Sequence, residues 1–266
     1  MLLRTLEALD QLGDTLRTST SLYYLGVNAF ALGDWAEARA RYEAALALGA
    51  RSDRMEAHSA RRGLLQLDLA EGKRPLTAHL MREEAARVYQ REDLVYQLYT
   101  ASSVLNLEIL AGFAVEARTC LRQTLASRSD DDPTTCDDLA LLAWAELELG
   151  DLAAAHVALD EARRRAEAFG SRLVFVLIWR IEGRLALVEQ RYQEGLAVVE
   201  QAMALAQAMP YPYAEAQARY VAGLLHQTRG EDVKARQAFS AALAIFQRLG
   251  ERFYAGRIER ELAALG

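Results

Sequence analysis

Cysteine is nearly absent: Cys120 and Cys136 are the only two in 266 residues, too few for a disulfide framework and badly spaced for a metal site. Proline occurs only four times, so helices can run unbroken between the few places where it falls. Lysine is rarer still, with Lys73 and Lys234 alone, so nearly all the positive charge is arginine. No apolar run reaches membrane-spanning length; the longest candidate lies around Leu173 to Ile178. The opening residues, Met1 to Glu7 and on to Asp10, form an amphipathic pattern interrupted by acids, unlike a secretory leader. These absences argue against a disulfide scaffold and a membrane protein, and point to a reducing, cytoplasmic setting.

The usual catalytic constellations are missing as well. His58, His79, His156 and His226 are scattered, with no His-Glu-x-x-His pair to hold zinc. No Gly-x-Ser-x-Gly elbow offers a nucleophile, and no Gly-x-x-x-x-Gly-Lys-Ser/Thr loop offers a phosphate cradle. Glu83 with Glu84, and Glu146 with Glu148, are one and two residues apart and so do not share a helix face. The acidic stretch 127–135 lacks the glycine and terminal glutamate of a calcium loop at the required spacing, and reads as a solvated loop ending in a helix cap. The expectation is a protein that is not an enzyme and needs no cofactor or metal. With a net charge of −6 and pI near 5.4, a nucleic-acid partner lacks its basic footprint.

What is present is a rhythm. Helix-turn signals recur at Gly33, Gly72, Gly112, Gly150, Gln190, where a glycine is missing, and Gly230, spaced 39, 40, 38, 40 and 40 residues apart. Each is followed five residues on by a small residue: Ala38, Thr77, Ala117, Ala155, Gly195 and Ala235. Self-similarity at this period marks a solenoid of stacked helix pairs, in which no single pair buries its own apolar face. A composition of 52% apolar and 26% charged residues suits an ordered all-helical chain.

Glycines and prolines place the helix ends. First helices are expected near 15–31, 53–70, 93–110, 134–148, 172–189 and 212–228. Their partners are expected near 34–48, 75–90, 114–127, 151–168, 192–208 and 231–248. Asp34 and Asp151 are positioned to cap second helices, and Pro75 to sit early in one. The organisation is then one solenoid domain over 1–266: residues 1–13 as a leading half-repeat or natural cap, 14–250 as six helix pairs, and 251–266 as a C-terminal capping helix.

With the marker glycine set at repeat position 15, position 8 holds Gly26, Ala143, Gly183 and Gly223; position 27 holds Ala45, Ala162, Ala202 and Ala242. Position 24 is larger: Tyr42, Leu121, Leu159, Val199 and Phe239. This pattern resembles the tetratricopeptide repeat, with departures at Leu65 and Leu105, which occupy position 8 of the second and third units. The long unit also looks like the repeats of MalT-like, LuxR-type or STAND-class bacterial signalling ATPases. The resemblance implies an all-α fold, a right-handed superhelix of antiparallel helix pairs, and a role as an interaction scaffold or sensor arm in signalling or transcription regulation.

The resemblance further implies that positions 2, 5, 9 and 12 of the first helices line a concave wall. Those positions point to Tyr23, Phe30, Arg62, Gln66, Tyr99, Asn106, Trp144, Arg180, Arg184 and Tyr220 as candidate ligand or partner contacts. Aromatic rings supply rigid apolar area and arginine a planar fork, a mix suited to a protein or peptide segment, a sugar or an anion. Two alternatives stay open: Trp144 and Tyr99 can pack between repeats, and Arg180 and Arg184 can ion-pair with residues such as Asp137. A long open groove would favour a partner segment, whereas an enclosed pocket would favour a small ligand, peptide or oligosaccharide, controlling an attached ATPase or regulator.

Overall fold

A computed structural model describes residues 14–49, 55–73, 109, 112–129 and 131–266. Eleven helices lie in these residues: α1 Thr15–Leu32, α2 Trp35–Gly49, α3 Met55–Ala70, α4 Ala114–Ser127, α5 Thr135–Glu148, α6 Leu152–Phe169, α7 Arg172–Val188, α8 Tyr192–Ala208, α9 Pro212–Thr228, α10 Asp232–Leu249 and α11 Phe253–Ala264. Each matches its expected span to within two residues. The expected helices at 75–90 and 93–110, the leading segment 1–13 and the Pro75 position lie outside the described residues. The architecture is a helical solenoid: α1 packs on α2, α5 on α6, α7 on α8 and α9 on α10, and successive pairs then stack.

Local chemistry explains the punctuation. Asp14, Asp34 and Asp151 each accept a hydrogen bond at 3.0 Å from a backbone N–H three residues on, those of Arg17, Glu37 and Ala154. Each removes one orphan donor from the first turn of α1, α2 or α6. At the inner turns the chain crosses into the left-handed region, with φ of 84° at Gly33 and 71° at Gly230. Where the marker glycine is lost, Gln190 adopts the same conformation at φ 61°, the one non-glycine to do so among the described residues. The turn geometry is thus retained against the steric preference of an L side chain.

In the first, fifth and sixth pairs the glycine at position 8 receives the large residue at position 24. A Cβ built on Gly26 would lie 2.6 Å from the Tyr42 ring, one on Gly183 2.3 Å from Val199, and one on Gly223 2.4 Å from Phe239. Tyr42 is pressed from a second side by Gly63 of the next repeat, also at 2.6 Å. Position 24 therefore fills the groove inside its own pair as well as the seam to the next, so the small and large positions form one interlock. Ala38, Ala45, Ala117, Ala155, Ala162, Ala202, Ala235 and Ala242 are all buried along these contacts.

Charged side chains tie one turn of the coil to the next. Arg39 of α2 donates to Asp68 at 2.8 Å and Glu71 at 2.6 Å. Arg122 of α4 reaches the buried Glu146 of α5 at 2.6 Å, Arg163 of α6 meets Glu182 of α7, and Gln227 of α9 meets Glu261 of α11 at 3.1 Å.

The coil also returns on itself. Phe30 and Trp35 stack with centroids 5.3 Å apart, and both meet Tyr213 of the sixth repeat edge-on at 5.5 Å. A Cβ on Gly33 would lie 2.8 Å from Pro212 and 2.9 Å from Leu249. The Arg252 N–H donates to the Ala70 carbonyl at 2.7 Å. Next to that bond, buried Glu251 accepts from the N–H of Tyr254 at 2.8 Å and of Ala255 at 3.1 Å, capping α11. Burial pushes the Glu251 carboxyl up to about 7 against the pull of these backbone donors.

Three substitutions probe this frame. Gly223→Ala gains helix propensity of up to about 1 kcal/mol but drives a methyl into the Phe239 ring, so a net loss of about 1 to 2 kcal/mol is expected in urea unfolding. Gln190→Gly relieves the left-handed strain and is expected to gain about 1 kcal/mol. Because the folded state holds the Glu251 proton to higher pH than the unfolded chain does, its stabilising share is complete below about pH 4.3 and is lost as pH rises towards 7. Glu251→Gln should flatten the fall in urea midpoint between pH 4.5 and 7.5; an unchanged slope would rule out this carboxyl as its source.

Candidate functional site

Return of the sixth repeat onto the first frames a part-open chamber of about 380 Å³. The first helices supply most of its wall: Tyr23, Val27 and Phe30 from α1, Ser59, Arg62 and Gln66 from α3, Asp137 and Leu141 from α5, Val176, Leu177 and Arg180 from α7, and Ala214 and Gln217 from α9. Tyr42, Gly63, Leu173 and Tyr211 complete it. Positions 2, 5, 9 and 12 are three or four residues apart, so within each first helix they share one face, and that face is turned to the concave wall.

The wall has two characters. Val27, Phe30, Leu173, Val176 and Leu177 form an apolar portion, while Arg62, Gln66, Asp137, Arg180 and Gln217 bring charge and amides. Arg62 and Arg180 are both buried, and loss of water pushes the Arg180 guanidinium down, while neighbouring Tyr254, Tyr213 and Tyr211 favour its charge. Desolvation raises the Asp137 carboxyl to about 6, with Arg128 pulling the other way. The Tyr211 phenol is pushed up to about 12 by burial, so it enters the chamber as a neutral donor and acceptor. Behind the wall, Asp138 pairs with Arg128 at 3.0 Å, both side chains buried.

Of the ten side chains expected on the concave wall, five meet in this chamber: Tyr23, Phe30, Arg62, Gln66 and Arg180. Tyr99 and Asn106 lie outside the described residues. Trp144 is 1% exposed, with its indole N–H donating to Glu148 at 2.9 Å. Arg180 and Arg184 of the following repeat cover its ring, their guanidinium carbons 4.9 and 5.3 Å from the centroid. Arg184 pairs with Glu148 rather than with Asp137. Tyr220 is buried between Phe239, 5.9 Å away, and Tyr254 of α11, 5.7 Å away. These three residues therefore serve the seams between repeats and do not line the chamber. Sequence reasoning missed Tyr42, because it was assigned to a seam, and Tyr211, whose signal was the Pro-Tyr-Pro-Tyr stretch 210–213 at the turn into α9.

Among the described residues no group of three His, Cys, Asp or Glu could hold a metal ion, and no helix is long and apolar enough to cross a membrane. Cys136 is buried, and its thiol is raised to about 11 chiefly by desolvation, which leaves little thiolate for nucleophilic work.

No family model matches the chain, and no curated protein matches it. Solved structures do: one is a Rap protein crystallised in complex with competence and sporulation factor, at TM-score 0.68 and 14% identity, the match covering 95% of this chain and 71% of that one. At that identity the likeness shows a shared helical-repeat fold.

Proposed function

We propose that the chain is a non-catalytic interaction module of bacterial signalling, a sensor or scaffold arm that receives a short segment of a partner in its concave chamber. The observation that carries this reading is the chamber itself, built by the first helices of five repeats, with aromatic and aliphatic wall on one part and arginine, aspartate and amide groups on the other. Such a composition, mostly apolar with a few placed polar groups, is what ligand sites share. The similar Rap structure, crystallised with competence and sporulation factor, supports a binding role for this fold. Attachment to an ATPase or transcription regulator of the MalT-like, LuxR-type or STAND class, a cytoplasmic setting and a single solenoid domain over 1–266 belong to the same proposal.

The limited volume of the chamber favours a short occupant over a long helix. A volume of about 380 Å³ falls within the range of roughly 300 to 1,000 Å³ typical of small-ligand pockets. A free small ligand is therefore the second reading, with the first and sixth repeats as the walls that close around it.

Val27 lines the chamber and is itself 37% exposed, so Val27→Trp fills space without removing a buried contact. Affinity capture from a bacterial lysate, with mass spectrometry of what is retained, should show partners on the parent chain that are reduced at least tenfold on Val27→Trp, the two chains having melting temperatures within a few degrees. Equal retention by both would place the binding surface elsewhere.

A further inference from the structure

We infer that the chamber takes an uncharged, extended stretch of peptide main chain, one backbone N–H of which donates to Asp137 while a large apolar side chain lies against Val27 and Leu173 at the open side. The inference rests on the reading of the chamber as the binding site and adds the chemistry of the segment that enters it.

The first support is a carboxyl that receives no donor from another residue. Asp137 lies in the first turn of α5, lines the chamber and is partly withdrawn from solvent. Other acids so withdrawn among the described residues have partners: Glu146 receives Arg122, Glu161 receives Arg164, Asp68 receives Arg39, and Glu251 receives two backbone N–H groups. The Asp137 carboxyl is left with its own backbone N–H. A desolvated acceptor in this state weakens the fold, and an N–H brought by a ligand removes that penalty. What Asp137 lacks is a donor rather than a counter-charge. Arg128 already acts on it through space, Arg128 and Asp138 form an ion pair at 3.0 Å behind the wall, and Arg62 lies in the field of Asp138. Charge complementarity therefore favours a neutral donor over an ion, and a carboxylate holds such a donor more strongly than a neutral acceptor does.

The second support is the remainder of the wall. Gln66 of α3 and Tyr211, just before α9, line the same chamber, and neither side chain hydrogen-bonds another residue among those described. A carboxamide and a phenol each donate and accept, which suits the alternating N–H and C=O groups of a peptide. Val27 and Leu173 reach the chamber from α1 and α7 while remaining 37% and 58% exposed, so apolar surface lies at its open side. An apolar side chain would cover both on binding. The hydroxyl-rich surface of an oligosaccharide would satisfy Asp137 and leave them in water, and so the observations favour peptide.

The test uses the full chain and defined probes. One pool holds tripeptides with Leu, Phe or Trp at the centre, acetylated at one end and amidated at the other. A second holds the same peptides methylated at each backbone nitrogen in turn, a third holds them with free ends, and a fourth holds cellobiose and trehalose. Saturation-transfer NMR finds binders, and calorimetric titration ranks them. The capped peptides are expected to bind, and methylation at one nitrogen to lower affinity at least tenfold on the parent chain but less than twofold on Asp137→Ala. The melting temperature of Asp137→Ala should hold or rise, since the change orphans no partner; a lower one with unchanged affinity would make the carboxyl structural and overturn the assignment. Should Asp137→Ala fail to fold, the methylation series on the unaltered chain decides. A flat series, with binding blocked by Val27→Trp, would overturn the donor contact and leave the chamber as the site. Tighter binding by the free-ended peptides would overturn the uncharged segment, and binding by the disaccharides alone would overturn peptide. Absence of binding in all four pools would overturn both the inference and the reading it rests on.

Discussion

The structure depends on one steric fit, a residue with almost no side chain facing a residue with a large one. Gly26 against Tyr42, Gly183 against Val199 and Gly223 against Phe239 bring the two helices of a pair so close that a single added carbon would collide with the partner. Close approach maximises dispersion contacts along the alanine-lined interface and leaves no void for water. It also fixes the angle at which each pair meets the next, because Tyr42 presses on Gly63 of the following unit as well as on Gly26, and Gly183 faces Val221 of the following unit as well as Val199. Curvature in a solenoid is the sum of such small angles, so the position of the last repeat relative to the first follows from the fit inside each pair.

That sum is what makes a chamber out of a coil. The turn after α1 meets the start of α9 through Phe30, Trp35 and Tyr213, and Gly33 is the only kind of residue that allows Pro212 and Leu249 to approach so near. The backbone bond from Arg252 to Ala70 adds a second point of return at the neighbouring turn. An open superhelix would present its concave wall to solvent along its whole length. Here the same wall is brought face to face with itself, and Phe30 takes part both in the closing contact and in the lining.

Much of the frame was legible in the sequence, and the reason is local. Glycine at a left-handed turn and aspartate at a helix start act through backbone geometry within three or four residues, so helix ends could be placed from spacing alone. Small and large positions at 8 and 24 were legible because a two-helix unit repeats them. The site was legible only in part, since facing depends on what covers a residue from another unit. Trp144 carries a concave position, but Arg180 and Arg184 from the next first helix lie over it. Tyr220 carries another, but α11 stacks on it as the next first helix would. The closing contact joins residues some 180 apart in sequence, and no periodicity within one unit announces it.

Arginine has two roles in this chain, and the distinction bears on function. Along the seams it is a structural tie, with Arg39 on Asp68 and Glu71, Arg122 on Glu146 and Arg184 on Glu148. Most of these pairs are part-buried, and Glu146 is fully buried, so the planar fork fixes orientation as well as charge. Inside the chamber the balance differs, because Arg62 and Arg180 share the wall with Asp137 alone among acids. Since the same guanidinium that faces the chamber at Arg180 also rests on the Trp144 ring, the wall that would meet a ligand is continuous with the seam that holds the fourth and fifth repeats together.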